Sequence, residues 1–136
     1  MKIESKIGKS TASDQQIYSF ITDFNNFQEL IPGDVVSEWK SSEDRCTFQV
    51  KPIGKTGLMI IDRAPHSLIK ISSIPEISSY HFLIWIQLKK VSEADTRIKI
   101  TIEPEVNKMV LPMIKSPLKQ FVNGLVDKIE AFDFSS

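Results

Sequence analysis

Between residues 35 and 103 the chain returns again and again to a period of two, and after residue 105 it abandons that period for good. Val35, Ser37 and Trp39 alternate with Glu38 and Lys40. After a polar turn at 41–44, Cys46, Phe48 and Val50 alternate with Arg45, Thr47, Gln49 and Lys51. Two such runs around a polar turn read as a β-hairpin. A turn at 52–55 leads into a strand over 56–64, and Pro65-His66 turns the chain into 68–73, where Ile69 and Ile71 flank Lys70. The longest run, 79–90, sets Tyr80, Phe82, Ile84, Ile86 and Leu88 against His81, Leu83, Trp85, Gln87 and Lys89. Ile98, Ile100 and Ile102 complete the pattern over 97–103. Strands with one wet face belong to antiparallel sheets, because parallel strands are covered on both sides.

The flanks of this block are different. Residues 2–12 also alternate, with Ile3, Ser5 and Ile7 on one side and Lys2, Glu4 and Lys6 on the other, which makes seven expected strands. Ser13 and Gln16 have the spacing of a capping box. Ile17, Phe20, Ile21 and Phe24 then follow at helical spacing. Asn25-Asn26 interrupts, and Phe27, Leu30 and Ile31 predict a second short helix stopped by Pro32-Gly33. At the other end, Met109, Met113, Phe121, Leu125, Ile129 and Phe132 form one stripe. Val110, Ile114, Leu118, Val122 and Val126 form its neighbour, so a long amphipathic helix is expected. Two starts are open: a kinked helix from about Val106, or a new helix capped by Ser116 with Pro117 in its first turn.

Composition narrows the function classes. With 136 residues and no repeat or linker, a single domain over 1–136 is the economical reading. Seventeen basic and seventeen acidic side chains cancel, which argues against a nucleic-acid partner, since those partners select a basic excess. The start of the chain lacks the apolar core of a signal peptide. No apolar run approaches the ~18 residues of a membrane span. One cysteine, Cys46, makes neither an internal disulfide nor a multi-cysteine metal site, and a cytoplasmic location is expected.

The order strand, two short helices, six antiparallel strands, long terminal helix resembles the helix-grip fold of the START/Bet v 1-like (SRPBCC) superfamily, small bacterial polyketide cyclase/dehydratase-like and START-like members in particular. The resemblance implies an α+β domain in which a strongly curved seven-stranded antiparallel sheet grips the terminal helix. It also implies a cavity between them and a small hydrophobic ligand: a lipid, a polyketide-like ring or an isoprenoid. The side chains expected to face that space include Trp39, Phe48, Ile60, Tyr80 and Phe82. Ile84, Ile86, Ile98, Ile100, Met113 and Phe121 complete the set, with Gly124 as a point of close backbone approach. No cofactor or metal is expected.

Other motifs have plainer readings. Gly54-Lys55-Thr56 ends like a phosphate-binding loop, but Gln49 stands where the earlier glycine belongs and a strand follows instead of a helix. Cys46 reads as a buried structural thiol, and His66 and His81 as separate surface residues. Two alternatives to ligand binding remain. A cyclase- or dehydratase-type enzyme would move a proton with a single residue, Tyr80 or, with Leu58 and Ile60 inward, Asp62. A protein-interaction domain, co-chaperone-like, or a homodimer would use the outward Leu83 and Trp85, unless the stems of Lys89 and Lys99 cover the indole.

Overall fold

The computed structural model describes residues 1–31, 33, 36–51 and 53–134. Among them the elements run β1 (Ile3–Glu4), β2 (Gly8–Ser10), α1 (Asp14–Ile21), a 3₁₀ helix (Phe24–Glu29), β3 (Val36–Ser41), β4 (Arg45–Val50), β5 (Gly54–Ala64), β6 (Leu68–Ser73), β7 (His81–Ser92), β8 (Asp95–Glu105) and α2 (Leu111–Ala131). The expectations placed on Pro32, Val35 and Pro52 lie outside the described residues. Every strand pairing is antiparallel, in the order β1-β8-β7-β6-β5-β4-β3, with β2 also on β8. This is the curved α+β sheet and terminal helix that the alternation and the change of period imply.

Three one-residue irregularities set which side chains face the helix. The first splits the opening strand. Ser5 N–H donates to the Ile100 carbonyl at 2.8 Å, but Ile100 N–H donates to the Ser5 hydroxyl, also at 2.8 Å. A side chain thus replaces a main-chain acceptor, and the alternation slips: Ile3, Ser5, Gly8 and Ser10 are buried, while Ile7 is 66% exposed. Ile7 therefore does not share the inward face of Ile3, as strict alternation predicted.

The second irregularity lies in β3, where Ser37 pairs with Gln49 and Lys40 with Thr47, leaving Glu38 and Trp39 opposite Phe48. Glu38 takes φ 55°, the left-handed conformation that accommodates the extra residue of a bulge. Val36 is buried before the bulge and Trp39 packs against the core after it. The third lies in β5: Ile60 pairs with Ile71 and Asp62 with Lys70, so Ile61 is the extra residue. Asp62 is carried to the same face as Lys70 and is exposed, which overturns its expected inward placement.

A further shift, between Lys90 and Ser92 where β7 meets β8, falls beyond the inward residues, which otherwise keep their phase. Cys46, Phe48, Val50, Ile69, Ile71, Phe82, Ile84, Ile86, Leu88, Ile98, Ile100 and Ile102 are all buried in one core. Helix α1 starts at the expected capping box: the Ser13 hydroxyl accepts from Gln16 N–H at 3.1 Å, and Gln16 Oε1 accepts from Ser13 N–H at 2.9 Å. Phe20 leaves the sheet side and packs on Phe132 and Phe134, ring centres 4.7 and 5.3 Å away.

Helix α2 begins at Leu111, between the two starts considered, with Pro112 in the first turn and Pro117 inside the helix. Its last turns lie across β2. Gly8 is required there, because a Cβ at that position would collide with the Val126 side chain. Lys6 N–H donates to Asn123 Oδ1 and Lys9 N–H to Glu130 Oε2, each at 2.9 Å, and Lys6 Nζ is paired with Asp127. The helix is thereby stitched to the sheet along one flank.

Candidate functional site

The space between sheet and α2 is bounded by Phe48, Val50, Ile53, Thr56, Leu58 and Phe82, with Ile84, Ile102, Leu118 and Phe121 closing it. Thr56 is the one polar residue in that lining, and its hydroxyl is directed to the Gly54 carbonyl at 3.4 Å. The space measures about 10 Å³. That is the lower limit for one water molecule. The expected oily hollow is filled by the protein's own side chains. Large inward residues at nearly every position of β4, β7 and β8 do this, because each adds volume on the concave side.

Phe121 closes the space through a column of rings. Phe27 and Trp39 lie 6.5 Å apart at 4°, Trp39 and Phe48 5.3 Å apart at 25°, and Phe48 and Phe121 6.3 Å apart at 14°. The 3₁₀ helix, the bulged edge strand, β4 and α2 each contribute one ring. Such contacts add roughly 0.5–1.5 kcal/mol apiece beyond the area they bury. Within this column the indole N–H of Trp39 is buried and has no acceptor among the described residues. A buried donor left unpaired costs about 1–3 kcal/mol.

The expected lining residues divide as follows. Phe48, Phe82, Ile84 and Phe121 border the closed space. Ile86, Ile98 and Ile100 are buried in the same core, and Trp39, Ile60 and Tyr80 pack against it partly exposed. Gly124 is half-buried on the flank of α2. Met113 does not face the interior: it is 68% exposed, and Met109 is 86% exposed. Met113 and Phe121 are eight residues apart, which rotates them roughly 80° around a helix of 3.6 residues per turn. They were never on one stripe.

Sequence reasoning also missed a cluster at one end of the sheet. Ser73 Oγ lies 2.7 Å from His81 Nδ1 and accepts the Phe82 N–H at 3.0 Å, while His81 Nε2 is 3.5 Å from Glu105 Oε2. His81 thus bridges β6 and β8 while its side chain stays 38% exposed. The residue types are those of a nucleophilic triad. Ser73, however, is 1% exposed and its hydroxyl is already engaged twice, so no substrate carbonyl reaches it. The signal lay in register, because His81 pairs with Glu105 across β7 and β8.

Elsewhere, burial pushes the Cys46 thiol well above its ordinary value, against a smaller lowering by its hydrogen bond with the Leu58 main chain. Cys46 is therefore held neutral. His66 sits exposed in its turn with φ 70°, edge-on to Tyr18 at 5.6 Å. Trp85 is half-buried, with the ammonium groups of Lys2 at 5.1 Å and Lys70 at 5.5 Å over its ring, and it shares a groove with Lys89 and Lys99.

The sequence matches no protein-family model and no curated protein. Solved structures do resemble the fold. A START superfamily protein from Mycobacterium smegmatis superposes with a TM-score of 0.73 at 14% identity, covering 95% of this chain and 94% of that one. Norcoclaurine synthase from Thalictrum flavum gives 0.73 at 14% identity, over 96% of this chain and 84% of the other. The Aha1 dimer from Colwellia psychrerythraea gives 0.61 at 16% identity, over 96% and 97%. The chain has the START/Bet v 1-like, helix-grip fold. Likeness at such identity defines the fold and not the activity. No helix among the described residues is long and apolar enough to cross a membrane.

Proposed function

We propose that this protein binds a small, largely apolar molecule carrying one hydrogen-bond acceptor, seated under α2 against Phe48 and Phe121. The observation that carries this reading is the orphaned buried indole N–H of Trp39, whose ring stacks on Phe48, a residue of the lining in which Thr56 is the one polar side chain. An acceptor placed there recovers the cost of the unpaired donor, and stacked rings favour a flat or unsaturated skeleton. Because the space is only about 10 Å³ when empty, the ligand must displace the Phe121 ring. The apparent affinity is then reduced by the fraction of molecules that are open. A lone buried thiol suits a reducing cytoplasm, which we take as the compartment.

The test is a titration of the purified protein with the apolar fluorophore anilinonaphthalene sulfonate, beside denaturing mass spectrometry of gently isolated protein. We expect saturable one-to-one binding, weakened about tenfold in Trp39→Phe, which keeps the stack and loses the donor. Absence of saturable binding to the folded protein would overturn the reading. The cyclase-type alternative would use Tyr80 or Asp62 singly; the exposed position of Asp62 argues against that residue and leaves Tyr80, which packs partly exposed against the core.

A second reading, self-association through Leu83 and Trp85, is supported for Trp85 by a groove of about 580 Å³ that it borders with the exposed Ile7, Leu88, Ile98, Lys89 and Lys99; Leu83 does not border it. Sedimentation of wild type and Trp85→Glu at rising concentration decides it. Identical monomers would remove it.

A further inference from the structure

The outward face of the first half of α2 is unlike the rest of the surface. Residues 106–126 carry Lys108, Lys115 and Lys119 and not one Asp, Glu or Arg. On the same stretch Met109 and Met113 are the two most exposed large apolar side chains of the described chain. Helical spacing puts Met113, Ser116 and Gln120 on one continuous outer face with Pro112, Lys115 and Lys119. A groove of about 630 Å³ runs beside it, bordered by Pro112, Lys115, Lys119, Lys2 and the exposed Met1.

The carboxylates near this face are already engaged. Glu4, in the groove, is paired with Lys99 at 2.8 Å, and Lys119 Nζ donates to the Glu4 carbonyl. Asp127 and Glu130 appear only in the last turns of the helix, where Lys6 meets both of them. Glu105, just before the stretch, stands beside His81. The turn that presents Met109 is itself built. Asn107 Oδ1 accepts from both Met109 N–H and Val110 N–H at 3.0 Å.

We propose that this methionine–lysine face docks the protein on an anionic membrane surface, with Met109 and Met113 entering the interfacial region and Lys108, Lys115 and Lys119 over the headgroups. The chemistry favours lipid over an acidic protein. Lysine ammoniums are point charges without the fork geometry that selects a particular carboxylate, and lysine is depleted in protein–protein interfaces. Flexible apolar side chains beside lysines are what an interface of acyl chains and anionic headgroups accepts. Docking of this kind is independent of whether the interior takes a ligand.

Co-sedimentation with phosphatidylcholine vesicles, pure or containing about one-third phosphatidylserine, tests it. We expect binding to the anionic vesicles only, falling as salt is raised. Met109→Ser/Met113→Ser and Lys108→Glu/Lys115→Glu should each weaken it about tenfold or more. These positions are exposed, and circular dichroism of both variants should match wild type. Wild-type protein left in the supernatant with anionic vesicles, or variants that bind as well as wild type, would overturn the assignment. Retention on immobilised polyglutamate without vesicle binding would do so in favour of an acidic protein partner.

Discussion

The rings of Phe48 and Phe121 lie 6.3 Å apart at 14° to one another, one from the sheet and one from the helix, and between them they shut the interior. Phe121→Ala should open that space. Loss of a buried phenylalanine costs about 3–5 kcal/mol, read as a lower urea midpoint. The same variant should take up an apolar probe faster than wild type, because the displacing step is gone. Slower or unchanged uptake would mean that entry lies elsewhere.

Ser73 and His81 should respond unequally to substitution. Ser73→Ala removes the acceptor of the buried Phe82 N–H and should cost about 1–3 kcal/mol. His81→Ala loses a half-exposed bridge to Glu105 and should cost less than about 1 kcal/mol. Denaturation midpoints of the two variants check the order. A reversal would place the weight of the cluster on the imidazole.

Cys46 should resist iodoacetamide at alkaline pH in the folded protein and react at once in urea. Burial raises its folded pKa above the unfolded value. The neutral thiol's contribution to stability is therefore complete below the ordinary thiol pKa of about 8.5 and is lost as pH climbs beyond it. Stability measured from pH 7 upward should fall in wild type more than in Cys46→Ala.

Asp95 should titrate low. Arg97 meets it through Nε at 2.9 Å and a terminal nitrogen at 3.1 Å, and this hydrogen bonding, with the guanidinium's charge, holds the carboxyl below its ordinary pKa. Its contribution is present above the unfolded carboxylate pKa and lost as pH falls through the folded one. An NMR titration should show the Asp95 midpoint rising in Arg97→Gln.

Gly8→Ala should push α2 off β2 through the Val126 side chain, costing about 1–3 kcal/mol as overpacking does. Gly33→Ala, where an added Cβ meets nothing within 4 Å, is the control and should be near neutral. Equal midpoints would show that the helix yields freely.

The inward residues of β4, β6, β7 and β8 were legible because the alternation runs without a slip over the stretches that hold them, the shift between Lys90 and Ser92 lying beyond Leu88. Trp39 reached the core by a different path from the one its spacing suggested, through a bulge at Glu38. Asp62 was misplaced by one extra residue at Ile61, and Met113 by a stripe drawn across too long a gap. The unpaired Trp39 nitrogen and the Ser73–His81–Glu105 cluster had no local signal, since each joins separate strands.

By itself, the chain's pattern determined the order of elements, the antiparallel sheet and the helical end, because period and capping are properties of near neighbours. Tertiary structure alone decided where the alternation slips and that side chains fill the space under the helix. A one-residue bulge reverses the facing of everything beyond it, and packing volume is a sum over elements distant in the chain.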